Sequence, residues 1–396
     1  MKYASRMSRM ETDTASAFEI YDRAQALEAE GRDIIHLEIG EPDFDTPEHI
    51  REAGIEAIRR GFTHYSSGAG MMAAREAIAR FVARERGIEV TPQQVIITPG
   101  GKPALFYGVC SCVDEGGEVI LPSPGFPVYE AMVLFAGGKP VHLPLREEID
   151  FGFDIEELRA LVTDRTRMII INSPQNPTGA VLTGSQLEAI ADLATERDFF
   201  VLADEVYSKI LYDATYQSIV GLPGMAERTI LVDSFSKAYA MTGWRLGYAV
   251  AAEETARHIA TLMVNSNSCT ASFTQIAGIE ALRGPQDCQT RMIEEFRKRR
   301  DFLVEGINRI PGISCRTPQG AFYVFANISK LEMGSALFSN RLLEEAGVGT
   351  MPGISFGRHG EGFVRISYAN SLERIARALE RLEDFVRADG HRTGRP

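Results

Sequence analysis

A series of short, continuously apolar segments in the middle of the chain constrains the fold more than any other sequence feature. Stretches with helical periodicity separate them, including Ala104–Val113 and a helix at Ser185–Arg197 that a serine is expected to cap. Strands that are apolar throughout are typical of a mainly parallel sheet covered on both faces. The sequence therefore predicts an α/β fold, a mainly parallel sheet flanked by helices. The apolar segments are Val95–Thr98, Glu118–Leu121, Arg167–Asn172, Phe199–Ala203, Thr229–Asp233 and Leu246–Ala251.

The pattern changes in the last third of the chain. A long charged helix is predicted over Gln286–Ile310, where it would bridge two domains. Mixed strands and helices after it predict a smaller α+β domain, and a length of 396 residues suits two domains. These later elements are expected at Gly320–Phe325, Ser335–Ala346, Phe363–Ser367 and Leu372–Val386.

Charge and composition restrict the classes of function. The chain has 42 basic and 54 acidic side chains, a net charge of −12, which argues against a nucleic-acid or anionic-membrane surface. No apolar run is long enough to span a bilayer, and Met1–Asp13 lacks the apolar region of a signal peptide. The five cysteines show no zinc-binding spacing. We therefore expect no metal site, reduced thiols and a cytoplasmic location.

Polar and charged side chains follow three of the predicted strands. Asn176 follows one strand, Asp204 ends the next, and the segment Ser234–Lys237 follows a third, with Arg245 shortly after it. Open α/β sheets bind ligands beyond the carboxyl ends of their strands. A lysine that forms a Schiff base with a pyridine cofactor needs partners for the ring nitrogen, the phenolic oxygen and the phosphate. This region offers all three, which indicates pyridoxal 5′-phosphate (PLP) chemistry.

With these motifs the chain resembles the class I/II aminotransferases of PLP fold type I, most of all the prokaryotic aspartate and broad-specificity branch. The likeness extends from Gly40–Phe44 to Val364–Tyr368. It implies a large PLP-binding domain at residues 46–295. It also implies a small domain in which residues 1–45 pack with residues 296–396.

The resemblance assigns roles at the catalytic centre. Lys237 would form the Schiff base and act as the general acid and base. Asp204 would keep the pyridine nitrogen protonated, and Tyr207 and Asn176 would donate hydrogen bonds to the phenolate oxygen. Considered alone, Asp204 could simply cap a turn and Tyr207 could be a core aromatic.

The resemblance also assigns the phosphate and ring contacts. The turn Gly100-Gly101-Lys102, between a strand and a helix, would cradle the phosphate with backbone N–H groups. The family tyrosine at the position of Tyr65 reaches the phosphate of the neighbouring subunit, which implies a homodimer with a shared active site. Phe126 would stack on the ring, although many relatives have Tyr-Trp where this chain has Gly-Phe. The remaining phosphate contacts would come from Ser234, Ser236 and Arg245.

The substrate carboxylate is expected to bind at Arg365, which matches a family arginine and suits a planar, bidentate contact. The backbone of Gly40 would approach the same group, and Asn176 would also contact the substrate. Arg365 taken alone would more often be a surface side chain with a buried stem.

Recognition of the substrate side chain stays open. Lys102 could bind a distal carboxylate, as in relatives that prefer acidic substrates, or could simply occupy a helix start. Phe18, Ile20 and Phe126 favour apolar or aromatic substrates, and a broad pocket would accept both classes. A polar loop near the partner subunit is expected to contain Asn265, Asn267 and Ser268.

Reversible transamination between amino acids and 2-oxo acids in a two-step ping-pong reaction is the first hypothesis for function. The second is another fold type I PLP enzyme, such as a C–S lyase, a β- or γ-eliminating enzyme or a PLP-dependent oxidase, which would use the same cofactor residues. The third is the effector domain of a transcriptional regulator. Such proteins carry a basic DNA-binding module before the domain, but the motif Gly40-Glu41-Pro42 comes too early for one.

Overall fold

The computed structural model describes residues 3–10 and 16–393 of the chain. Its helices are α1 Ser5–Ser8, α2 Ser16–Ala29, α3 Glu48–Arg59, α4 Met72–Arg86, α5 Gly101–Cys112, α6 Val128–Phe135, α7 Ile155–Leu161, α8 Gly184–Arg197, α9 Phe235–Ala238, α10 Glu253–Asn267, α11 Ser272–Arg283, α12 Asp287–Arg309, α13 Ser335–Arg341 and α14 Leu372–Thr393. Its strands are β1 Ile35–His36, β2 Val95–Thr98, β3 Glu118–Ser123, β4 Lys139–Pro144, β5 Thr166–Asn172, β6 Phe200–Asp204, β7 Thr229–Ser234, β8 Gly247–Val250, β9 Ser314–Cys315, β10 Tyr323–Asn327, β11 Val348–Gly349, β12 Met351–Pro352 and β13 Phe363–Ser367.

A seven-stranded sheet in the order β2-β8-β7-β6-β5-β3-β4 forms the centre of the large part of the molecule. β8 runs antiparallel to both of its neighbours, and the other pairs are parallel. In β5, Met168 and Ile170 pack into a cluster with α5 and α6, whereas Ile169 and Ile171 pack into a cluster with α8. Burial on both faces explains why these strands are apolar at every position. The predicted fold class is confirmed.

Two local features differ from the sequence-based expectations. β4 was not predicted, because its sequence begins Lys139-Pro140, ends at Pro144 and is only partly buried. Proline is tolerated there because β4 is an edge strand of the sheet. The predicted serine cap of α8 is wrong. Thr183 is the cap, and its side chain and that of Gln186 form a reciprocal capping box.

A second, four-stranded antiparallel sheet in the order β12-β13-β10-β9 packs with α12, α13 and α14 in the smaller part. The N-terminal segment joins it through β1, which pairs in parallel with β11. Ile20, Leu27 and Ile34 of this segment pack on Leu343. These contacts are those expected if residues 1–45 belong with residues 296–396, although the domain boundaries themselves stay a prediction.

None of the helices in the described residues has the length and apolar character needed to cross a membrane.

A buried ion pair fixes the end of α4 behind the carboxyl edge of the large sheet. Arg86 donates from Nε to Glu205 Oε2 at 2.7 Å and from a terminal nitrogen to Ser208 Oγ at 2.8 Å. Both side chains of the ion pair are at least 95% buried. Asp233 lies 4.0 Å from the same guanidinium, and burial raises the pKa of its carboxyl to about 7. One cation therefore links the end of α4 to the segment that follows β6, through Glu205 and Ser208, and to the end of β7, near Asp233.

Replacing Arg86 with methionine should destabilise the protein strongly, because Glu205 would stay buried without its charge partner. We expect a loss of about 3–5 kcal/mol in the free energy of unfolding, measured with urea. Arg84→Met is the matched control on the same helix, since the Arg84 side chain is 67% exposed and pairs with the neighbouring Glu85. Its cost should be about 1 kcal/mol or less. Equal losses in the two variants would contradict the assigned importance of the buried pair.

Candidate active site

The carboxyl ends of three neighbouring strands meet at one cavity. Asn172 at the end of β5 is the register partner of Asp204 at the end of β6, and Ser234 ends the next strand, β7. The cavity at this edge has a volume of about 560 Å³ and is closed on its other side by Tyr323 and Arg365 of the small sheet. Its lining contains most of the predicted site residues, namely Gly40, Gly101, Lys102, Phe126, Asn176, Asp204, Tyr207, Ser234, Ser236, Lys237, Arg245 and Arg365.

Asp204 places a buried carboxylate in the lining of this cavity. Its Oδ2 accepts a hydrogen bond from the Tyr129 hydroxyl at 2.7 Å, and its Oδ1 accepts one from the Val206 N–H at 3.4 Å. Burial raises the pKa of the Asp204 carboxyl to about 6, although these hydrogen bonds and the nearby Lys237 oppose the rise. A positively charged group beside Asp204 would favour its ionised form.

Lys237 enters the cavity from α9, the short helix that follows β7. Its Nζ donates to the backbone oxygen of Gly40 at 2.5 Å and lies 5.8 Å from the centre of the Phe322 ring. The pKa of the Lys237 amine is lowered to about 8, mainly by burial; Glu41 opposes this effect, and the surrounding cations Arg365, Lys102 and Arg245 add to it. A substantial fraction of neutral, nucleophilic amine is therefore present near neutral pH.

Backbone and hydroxyl donors form the end of the cavity near α5. Gly100 has a φ of 96°, and a Cβ there would stand 2.3 Å from Arg245. Gly247 packs equally closely, since its Cβ would stand 2.6 Å from the Gly100 carbonyl carbon. Ser234 Oγ donates to Ser236 Oγ at 2.8 Å. Helix-start N–H groups, two hydroxyls and a guanidinium are the donors that an anionic phosphate requires.

Arg365, on β13, is held rigidly at the opposite end. Its two terminal nitrogens donate to Asn176 Oδ1 at 3.0 Å and to the Glu38 backbone oxygen at 2.6 Å. Its guanidinium lies 4.4 Å from the centre of the Tyr323 ring. Its Nε is buried and has no hydrogen-bond partner within the described residues. A buried donor without a partner is costly, and an entering carboxylate would provide one.

Tyr207 is buried between β6 and the small sheet, and its hydroxyl shares a 2.8 Å hydrogen bond with Tyr323. Burial raises the pKa of the Tyr207 phenol well above its usual value, so the group keeps its proton and can donate it in a hydrogen bond. The backbone N–H of Asn176 donates to Asn172 Oδ1 at 2.8 Å, which fixes the Asn176 loop to the end of β5.

Phe126 and Lys102 form the wall between the two ends of the cavity. The Lys102 amine lies 5.6 Å from the centre of the Phe126 ring, which itself packs edge-on against Tyr129. Burial lowers the pKa of Lys102, and the charge of Arg245 adds to this effect. A cation and an aromatic face are therefore available side by side.

Several predicted residues lie elsewhere. Tyr65 is 89% exposed, away from this cavity. Phe18 lies on α2, but its side chain is outside the described residues. The pocket-lining role expected of Ile20 is wrong, because this side chain is buried in the cluster of α2 with Leu343. Asn265 and Asn267 end helix α10 rather than forming a loop, which begins only at Ser268.

The lining residues for which sequence reasoning predicted no role include Tyr129, Tyr323 and Glu41. Tyr129 stands three residues after Phe126 and binds Asp204, but a helical tyrosine carries no sequence signal that separates it from core packing. Tyr323 lies in a correctly predicted strand, yet its role depends on the pairing of that strand with β13. Glu41 lies in the motif Gly40-Glu41-Pro42, but no role in the site was predicted for it.

The cavity fits PLP. It provides an amine at Lys237, a buried carboxylate at Asp204, a phenol at Tyr207, and a phosphate-sized set of donors at the start of α5. Among the described residues, no group of three or more histidine, cysteine, aspartate or glutamate side chains is arranged to hold a metal ion.

Comparison with known proteins agrees with this chemistry. A family model described as aminotransferase class I and II matches residues 32–382. Aromatic-amino-acid aminotransferase 2 of Thermococcus litoralis is 42% identical over 372 residues, which are 93% of this chain and 94% of the relative. An aspartate aminotransferase of Pyrococcus horikoshii is 43% identical over 374 residues, 94% of each protein. The structure of Thermus thermophilus aspartate aminotransferase with maleate matches with a TM-score of 0.92 and 39% identity, covering 97% of this chain and 99% of that chain.

The chain therefore belongs to the class I and II aminotransferase family. It is a PLP-dependent amino-acid aminotransferase, as the sequence analysis predicted. The second hypothesis, a lyase, an eliminating enzyme or an oxidase on the same scaffold, is not favoured by these relatives.

Proposed function

We propose that Lys237 is the residue that holds PLP covalently and exchanges the proton at the substrate Cα. The observation that carries this proposal is a buried amine with a pKa of about 8 beside a buried carboxylate in one cavity. When bound, PLP supplies an electron-accepting ring that makes the α-proton of an amino acid removable. The first amino acid would leave as a 2-oxo acid, and a second 2-oxo acid would then receive the amino group.

The other predicted residues would orient and stabilise these partners. Asp204 would face the ring nitrogen, with Tyr129 keeping the carboxylate in place. Tyr207 and Asn176 would donate to the phenolic oxygen. The phosphate would lie at Gly100, Gly101 and Lys102, close to Ser234, Ser236 and Arg245.

Arg365 would bind the substrate α-carboxylate. Its fixed orientation between Asn176 and the Glu38 carbonyl, together with its unpaired Nε, supports this role. The backbone oxygen of Gly40, which accepts from Lys237, lies beside this end of the cavity. A carboxylate fixed there would aim the Cα–H bond toward the lysine, so that proton transfer needs little reorganisation.

We further propose that both acidic and aromatic amino acids are donors. The amine of Lys102 could pair with a distal carboxylate, while Phe126 offers an apolar face in the same wall. The relatives named above include both an aspartate and an aromatic-amino-acid aminotransferase, and the Thermus enzyme is described with maleate, a dicarboxylate.

A cytoplasmic homodimer is the assembly we propose. Tyr65 is exposed in the single chain, and so is an apolar surface that includes Ile55 and Ile58; exposed apolar patches mark interfaces. A cavity of about 680 Å³ beside Arg245 connects this surface to the phosphate end, through which a partner's tyrosine could reach. The free state of all five cysteines agrees with a reducing compartment. The apolar side chains exposed in the single chain include Ile55, Ile58, Met72 and Val264.

Lys237→Ala should give a folded protein without the visible absorption of lysine-bound cofactor, and the loss of its acid–base group should lower kcat at least about a hundred-fold. Spectra and steady-state rates measure both effects. Lys298→Ala, which removes a lysine that is 68% exposed, is the control and should behave as the unmodified enzyme. Full activity of Lys237→Ala would overturn the assignment.

Lys102→Met should separate the two donor classes. If Lys102 pairs with a distal carboxylate, kcat/KM for aspartate should fall about 10- to 100-fold, the effect of losing one charged hydrogen bond. Phenylalanine serves as the internal control, and its kcat/KM should change little. A parallel fall for both donors would instead assign Lys102 to the cofactor site alone.

Tyr65→Ala and Lys237→Ala should complement each other if the active site is shared. Each variant alone should be impaired, the first in cofactor affinity at limiting PLP. When the two are co-expressed with different tags, each mixed dimer should contain one intact site and one doubly defective site. Random pairing should then restore about a quarter of the wild-type activity. Mixed dimers without recovered activity would place Tyr65 in its own subunit's site or outside both.

A further inference from the structure

A histidine–carboxylate pair lies at the end of β1, behind Arg365: His36 ends the strand and Glu38 follows two residues later. His36 Nδ1 and Glu38 Oε1 are 2.5 Å apart, and Glu38 is 3% exposed. The second carboxylate oxygen of Glu38 is buried and has no hydrogen-bond partner in the part of the chain that the structure describes. His36 Nε2 faces Glu28 of α2, with 3.3 Å between its nitrogen and the carboxylate oxygen. None of the roles assigned above uses this pair.

The backbone of Leu37 and Glu38, directly after β1, connects the pair to Arg365. The Glu38 carbonyl oxygen accepts from Arg365 at 2.6 Å, and the Leu37 carbonyl oxygen accepts from the Ser367 N–H at 2.7 Å. On the other side, the Leu37 N–H donates to Gly349 at 3.1 Å. The position of the Glu38 carbonyl therefore helps to set where the guanidinium of Arg365 points.

The local packing leaves little freedom for the Glu38 side chain. A Cβ at residue 349 would stand 2.2 Å from Glu38 Oε2, so the carboxylate occupies space that only a glycine in β11 leaves open. Burying a carboxylate with one unpaired oxygen is unfavourable unless a positive charge compensates it. Protonated His36 is the charge in direct contact.

We infer that Glu38 and His36 are positioning residues for substrate binding: their ion pair fixes the Glu38 carbonyl that orients Arg365 toward the substrate carboxylate. This inference rests on the proposed role of Arg365 and deepens it. Neither residue would touch the substrate or the cofactor. The pair would act on substrate affinity, because Arg365 would otherwise have to be ordered by the substrate itself.

Charge on His36 makes this device sensitive to pH. The hydrogen bond to Glu38 raises the pKa of His36, and the charges of Glu38 and Glu28 act in the same direction, against burial. β11 contributes no titratable group to the contact, and Asp33 at the start of this segment is already engaged by Arg377 and Arg381 of α14. The pair is intact below the raised pKa and loses its charge above it, so KM should increase with pH through that range.

Glu38→Gln keeps the side-chain shape and removes the charge. We expect KM for the amino donor to rise about ten-fold with little change in kcat, since a misaligned charged hydrogen bond weakens binding by about this factor. Calorimetry should show a matching loss in the affinity of succinate, an unreactive carboxylate. Cofactor absorption should stay as in the unmodified enzyme. His36→Gln should flatten the rise of KM with pH.

Asp33→Asn is the matched control in the same segment. It breaks the surface pairs with Arg377 and Arg381 but leaves the Glu38 carbonyl and Arg365 untouched, so KM should not change. Arg365→Lys tests the proposed role of Arg365 separately from the positioning role of Glu38 and His36. If Arg365→Lys leaves KM and succinate affinity unchanged, the proposed role of Arg365 fails. If it weakens both while Glu38→Gln and His36→Gln do not, the inference about the pair alone is overturned. A loss of cofactor or a fall in kcat alone in Glu38→Gln would also overturn it.

Discussion

The compensation of buried charge at one edge of the large sheet is the constraint on which the rest of the structure depends. Asp204 is buried next to Glu205; Tyr207 follows them in the chain, and β7 pairs with β6 at this edge of the sheet. Arg86 neutralises Glu205 from behind, whereas the buried carboxylate of Asp204 is held by hydrogen bonds from Tyr129 and the Val206 N–H. The stabilising ion pair therefore lies outside the cavity that Asp204 lines.

The fold was largely predictable from the sequence, because strands buried on both faces contain runs of consecutive apolar residues. β4 lacks such a run, since an edge strand is only partly buried and can contain proline. Lys237 and Arg365 were proposed from motifs, and both line the cavity. Tyr129 and Tyr323 were not, because their roles arise from packing between segments distant in sequence. Ile20 was misplaced for the same reason.

The cavity combines two kinds of recognition with different physical origins. Arg365 is oriented by backbone and amide oxygens, so its contribution should be similar for every α-amino acid. In the proposed function, Lys102 and Phe126 would act on the variable part of the substrate through charge and aromatic surface. This division explains why one scaffold can include relatives named for aspartate and for aromatic amino acids.

The close approach of Gly100 and Gly247 has a consequence for divergence within such a scaffold. No side chain fits between these two backbones, so the anion-binding end is built from main-chain geometry that point substitutions can damage but hardly retune. The wall formed by Lys102 and Phe126, in contrast, consists of side chains that substitutions can replace. Donor preference could therefore change through ordinary substitutions in this wall, while the main-chain part of the proposed phosphate site would stay as it is.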